Sequence, residues 1–216
     1  MRNLGALTEA ECAALRRKSV LVAGCGGLGG HIIENLLRIG VGTIRAVDGD
    51  VFEPSNLNRQ LLSETELLGT SKAEAAYLRG QRVNPSVEVV PYKLFLDGGN
   101  AAGLIRGCDA VIDALDNIPS RLMLARECAA QGIPYVFGAI AGWVAQAGIS
   151  APGDGLVEML YGSGAAAKDK SVLAFTPALC AAMQCALCVR LLCGREVRTG
   201  RLYYADLLNM EFEELF

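Results

Sequence analysis

The segment Gly24-Cys25-Gly26-Gly27-Leu28-Gly29 is followed by Asp48, Arg59, Lys72 and Asp116. These residue types divide one task between them. Gly24 permits a tight turn, Gly26 lets the backbone approach a phosphate with no Cβ in the way, and Gly29 lets a helix pack close to a strand. An acid about 20 residues past such a turn, here Asp48, is placed to accept hydrogen bonds from a ribose diol. Arg59 offers a planar fork for phosphate oxygens, and Lys72 a compact charge. Asp116 ends an apolar run, where ligands of open α/β sheets collect. Each has a duller reading: Arg59, Lys72 and Arg121 as surface charges, Asp116-Asn117 as a helix cap, Asp50 as a turn residue. The joint spacing favours a bound nucleotide.

The elements needed to hold such a site are legible. Ser19-Val20-Leu21-Val22-Ala23 reads as a buried strand, and residues 31–38 as a helix with an apolar face. A helix N-terminus after the glycines offers free N–H groups and a positive dipole end to an anion. Further strands are expected over residues 43–47, 87–92, 110–114, 134–140, 143–150 and 201–213. Helices are expected over 8–17, 72–82, 100–106, 120–131 and 177–192. The fold class is therefore α/β: a Rossmann-like mixed, mostly parallel sheet with helices on both faces and antiparallel strands at the C-terminal side. One domain covers residues 1–216, with an N-terminal arm and helix over 1–18. A mobile crossover loop is expected over 151–171, a stretch too long and glycine-rich for a simple connection.

Apolar residues make up 52% and charged residues 20%, which suits a largely buried sheet. A net charge of −3 gives no electrostatic footprint for nucleic acid. No run reads as long enough to span a bilayer, and the N-terminus lacks a signal-peptide layout. The eight cysteines fall mostly in apolar helical patterns, so reduced thiols in the cytoplasm are expected.

Taken in order, Gly24-Cys25-Gly26-Gly27-Leu28-Gly29, Asp48-Gly49-Asp50, Ser55-Asn56-Leu57-Asn58-Arg59-Gln60, Lys72, and Asp113-Ala114-Leu115-Asp116-Asn117 with Arg121 resemble the ThiF/MoeB/HesA family. These are adenylyltransferases related to ubiquitin-activating enzymes. The resemblance runs from Arg2 to the C-terminal strands, and the Asn-Leu-x-Arg-Gln segment is its most specific part. It implies a homodimer that binds ATP and Mg²⁺. It also implies attack of the C-terminal carboxylate of a small ubiquitin-like sulfur carrier protein on the α-phosphate, giving an acyl-adenylate and pyrophosphate. By resemblance Gly24, Gly26, Gly27, Leu28, Gly29, Asp48, Asp50, Asn56, Arg59, Gln60, Lys72, Asp116 and Asn117 line the nucleotide. Arg59, Lys72, Asp116 and Arg2 serve the reaction, and Asp116 holds the metal. Asp50 is expected to support the loop or Arg59.

Three departures from the family pattern bear on these expectations. The N-terminal arm, which sends an arginine into the partner subunit's site, is cut to Arg2. Only one Cys-x-x-Cys pair, Cys185 and Cys188, is present, so no zinc is expected. Residues 151–176 hold no cysteine, which argues against thioester transfer through that loop. The alternatives are an oxidoreductase binding NAD or FAD through the same glycines, a non-catalytic partner-binding subunit of the same fold, and a dehydratase acting on tRNA. The first leaves Arg59, Lys72 and Asp116 without a task, and the acidic balance counts against the last.

Overall fold

The computed structural model describes residues 3–162 and 171–215. Eight strands form one sheet in the order β3-β2-β1-β4-β5-β6-β7-β8. Strands β1 (Ser19–Ala23), β2 (Thr43–Val47), β3 (Glu88–Tyr92), β4 (Ala110–Asp113) and β5 (Tyr135–Ala141) run parallel. Strands β6 (Val144–Ser150), β7 (Arg201–Asp206) and β8 (Glu211–Leu215) continue antiparallel from β5. The β1 run is apolar throughout because both of its faces are covered. Val20 and Val22 enter one core and Leu21 and Ala23 the other.

The first core lies under α1 (Glu9–Leu15), α2 (Gly27–Ile39), α3 (Lys72–Val83) and α7 (Phe175–Leu192). The second lies under α4 (Ala101–Ile105), α5 (Ile118–Ala130) and α6 (Leu156–Tyr161). Helices thus cover both faces, as the alternation of strands and helices predicts.

Four expectations need correction. Helix α2 begins at Gly27, not at residue 31, because the glycines themselves form its first turn. The stretch read as one strand over 201–213 is two, reversing at residues 207–210. There Asp206 accepts from the N–H groups of Leu208 and Asn209, and Met210 takes φ 58°. Within 151–171 the chain forms α6, whose Leu156 and Val157 are buried; residues 163–170 lie outside the described residues. Finally, α7 is long and apolar enough, by length and composition, to cross a bilayer, with 18 residues at mean hydropathy 1.6. It packs instead on α2, β5 and β6, with Gln184 fully buried at its centre.

Candidate nucleotide site at the carboxyl edge of the sheet

The turn between β1 and α2 works only with glycine at two points. Gly24 sits at φ +99°, and a Cβ there would lie 2.6 Å from the Ala114 carbonyl oxygen. A Cβ on Gly29 would lie 1.8 Å from the Gly24 oxygen. The first turn of α2 is therefore pressed onto β1 and against the chain leaving β4, the crevice where the strand order reverses. No side chain caps this helix end, so its N–H groups and dipole stand ready for an anion.

Asp48, at the end of β2, braces the turn. Its Oδ2 accepts from the Cys25 N–H (2.7 Å) and its Oδ1 from the Asp50 N–H (2.8 Å). Each oxygen keeps a lone pair for a ribose hydroxyl. Burial pushes this carboxyl up, against the two backbone donors and Lys72, which pull it down.

Lys72 opens α3, and its N–H donates to the Asp50 carbonyl (3.0 Å). Its buried Nζ lies 3.1 Å from the half-exposed carboxylate of Asp50. Asp50 thus pairs with Lys72 rather than with Arg59. Arg59 is half-buried, and its Nη1 donates to the Ser55 carbonyl and to Asn58 Oδ1, both at 2.9 Å. Its stem lies beside Gly27. Among the described residues Arg59 has no carboxylate partner, so a full positive charge adjoins the positive end of α2.

Asn56 is buried and accepts from the Glu53 N–H (3.0 Å) through Oδ1. Gln60 is buried with its amide against Gly26, and its Oε1 has no partner among the described residues. Such an orphan is costly without a ligand or water to satisfy it. The Gln60 amide therefore lies next to the glycine turn, whereas the Asn56 amide is engaged by Glu53 and Ser55. Leu28 buries its side chain in the core and offers only backbone to the site.

Across the turn, Asp116 is solvent-exposed. Asn117 caps α5 by accepting from the Ser120 N–H (2.9 Å), and its Nδ2 donates to Asp116 Oδ1 (3.3 Å). The capping role therefore belongs to Asn117, and Asp116 keeps its carboxylate free of cations among the described residues. No group of three or more His, Cys, Asp or Glu is placed to hold a metal among the described residues. A lone carboxylate beside a phosphate site suits Mg²⁺, which is held by one or two carboxylates together with phosphates and water.

Arg121 is not a surface charge. Its Nη1 donates to Asp113 Oδ2 (2.7 Å) and to the Gly138 carbonyl (2.6 Å), and its Nη2 to the Leu115 carbonyl. Phe137 and Tyr161 rings flank the guanidinium at 5.4 and 5.9 Å. Gln184 Nε2 donates to the Asp113 carbonyl (2.7 Å) and the Val136 carbonyl (3.2 Å), tying the ends of β4 and β5 to α7. Sequence reading missed Gln184, although a lone amide in the middle of an apolar helix is a signal. This buried frame holds the segment that carries Asp116.

Two further features lie elsewhere. A groove of about 350 Å³ between α2 and α7 is lined by Asn35, Arg38, Ala182 and Val189, among others. It flanks the C-terminal half of α2, where the dipole disfavours anions. Cys185 and Cys188 are buried in α7, with the Cys185 thiol 3.8 Å from the Ile32 carbonyl. Burial pushes Cys185 to about 12 and Cys188 higher still. All eight cysteines are unpaired. Arg2 lies outside the described residues.

The description "ThiF family" fits residues 1–215. The SAMP-activating enzyme E1 of Haloferax volcanii is 37% identical over 203 residues, covering 90% of this chain and 74% of that protein. The sulfur carrier protein adenylyltransferase of Thermus thermophilus is 44% identical over 126 residues, 58% of this chain and 46% of that protein. The crystal structure of E. coli MccB with ATP superimposes with a TM-score of 0.81 at 19% identity, covering 95% of this chain and 64% of that one. That likeness is one of fold.

Proposed function

Because the chain belongs to the ThiF family, we propose that it is an adenylyltransferase that uses ATP to activate the C-terminal carboxylate of a small ubiquitin-like sulfur carrier protein. One observation carries the reading. The unpaired charge of Arg59, the open N-terminus of α2 and the braced Asp48 lie on one edge of the sheet, where the chain leaving β4 packs against the glycine turn and goes on to the free carboxylate of Asp116. The relatives named for SAMP activation and for sulfur carrier adenylylation support the choice of substrate.

The reaction brings two anions together. The carrier carboxylate is ionised at neutral pH, so no general base is needed. One of its oxygens bonds to the α-phosphorus, and the bond to the bridging oxygen breaks. The electron pair leaves with pyrophosphate. Protein groups must neutralise the triphosphate and hold the reactants in line. Asp48 takes the ribose hydroxyls, and the α2 N–H groups with Gly24, Gly26, Gly27 and Gly29 cradle phosphate. Arg59 reaches phosphate oxygens by exchanging two neutral acceptors for charged ones. Lys72 does so by exchanging Asp50, and Asn56 and Gln60 turn their amides toward the α-phosphate region. Asp116 would hold the Mg²⁺ that screens the phosphate charge.

A homodimer in the cytoplasm completes this reading, with Arg2 entering the partner subunit's site. Zinc, nucleic acid and membrane have no part in it. The unpaired thiols suit a reducing compartment. The test is exchange of labelled pyrophosphate into ATP with a panel of candidate carrier proteins. Carrier-dependent exchange is expected; none with any carrier overturns the assignment.

A further inference from the structure

The order of the strands gives a bound nucleotide a direction. Phosphates at the first turn of α2 lie at the end of β1, and Asp48 lies at the end of β2. The next strand outward is β3. A nucleoside held by its ribose at Asp48 therefore carries its base toward the segment that leaves β3.

That segment presents Phe95, 68% exposed. Its neighbours Leu94 and Leu96 pack on the second core, which turns the phenyl ring outward between them. The backbone is tied down: the Phe95 carbonyl accepts from Asn100 Nδ2 (2.8 Å), and Asp97 N–H donates to Asn100 Oδ1 (3.0 Å). Asp97 Oδ1 in turn accepts from the Gly99 and Asn100 N–H groups. The ring covers Gly49, the residue between Asp48 and Asp50. A Cβ on Gly49 would fall 2.7 to 2.8 Å from three ring carbons, so the ring occupies the place where another residue would put a side chain. Burying such a ring elsewhere would be favourable. Here a braced loop holds it in solvent, one residue from the ribose acid.

Resting on the nucleotide reading above, we infer that Phe95 is the platform on which the base stacks. Stacking on an aromatic ring is tolerant of base identity. Phe95 therefore supplies affinity, and choice among bases falls to polar groups at the base edge.

The experiment is equilibrium binding by calorimetry on the full chain, with ATP and with inorganic triphosphate, which has no base. Phe95→Ala is expected to weaken ATP binding by about tenfold, in line with loss of one stacked base. Its affinity for inorganic triphosphate stays that of the wild type, and Phe95→Tyr, which keeps the ring, binds ATP as the wild type does. Equal ATP affinity in wild type and Phe95→Ala overturns the inference. So does an equal loss for triphosphate, since the ring would then be supporting the whole site. A wild type that binds no ATP overturns both this inference and the nucleotide reading. A wild type that binds ATP yet catalyses no carrier-dependent exchange overturns the proposed reaction alone, and the binding comparison still decides Phe95.

Discussion

Arg59 and Arg121 are the same residue type on the same edge of one sheet, and they are put to opposite uses. Arg59 lies on the β1–β2 side, half-buried, bonded only to one carbonyl and one amide oxygen. Arg121 lies on the β4–β5 side, buried, bonded to a carboxylate and two carbonyls and flanked by two rings. A ligand phosphate can replace the partners of Arg59 at little cost. It cannot reach Arg121. Carboxylates divide in the same way: Asp116 is open, whereas burial pushes the Asp113 carboxyl up and Arg121 pulls it down. Burial and partner number, rather than residue type, separate charge available for chemistry from charge that shapes the site.

The contrast is sharpest in stability. Arg121→Ala strands a buried carboxylate and is expected to cost about 3–5 kcal/mol, read from urea unfolding. A loss below about 1 kcal/mol would place Arg121 with Arg59 among the replaceable charges. Lys72→Ala should do the reverse. Pyrophosphate exchange falls by about 3 kcal/mol in the transition state, as for loss of one preorganised charge, while stability changes by less than about 1 kcal/mol because Asp50 remains half-solvated. Exchange within about twofold of wild type would deny Lys72 its role. Asp116→Ala should leave the unfolding midpoint in place and raise the Mg²⁺ concentration for half-maximal exchange by roughly tenfold, as when metal support is removed. An unchanged magnesium titration would return Asp116 to a structural part.

The smallest effect is at the periphery. The Arg195 guanidinium holds Glu11 at about 2, well below its ordinary 4.5. A lowered folded value contributes stability above the unfolded pKa and loses it as pH falls toward the folded one. Glu11→Gln should therefore unfold earlier than wild type at neutral pH, and the two should converge between pH 4.5 and about 2. A gap that persists at pH 2 would mean that packing, not charge, ties α1 to the segment after α7.

Much of the frame was legible because it repeats. Buried parallel strands such as Val20-Leu21-Val22 are apolar on both faces, and their alternation with helices announces the parallel half of the sheet. Legibility failed where a single side chain overrode the pattern. Asp206 turns one apparent strand into a hairpin. Leu156 and Val157 supply a buried face inside a stretch that reads as loop. In the site, the glycine turn and Asp48 were plain because close approach admits no other residue. The partner of Asp50, the burial of Arg121 and the reach of Gln184 from α7 were not, because each depends on contacts between residues far apart in the chain.

Sequence alone determined that this protein has a tight glycine turn between strand and helix, an acid about 20 residues past it and a row of charged residues beyond. Those follow from local spacing and from the absence of a Cβ. Only the tertiary structure decided which charges face solvent and which are locked inside, that Asn117 caps while Asp116 stays free, and that Phe95 lies over Gly49. A charge takes its role from the dielectric and the partners around it, and the folded chain alone supplies both.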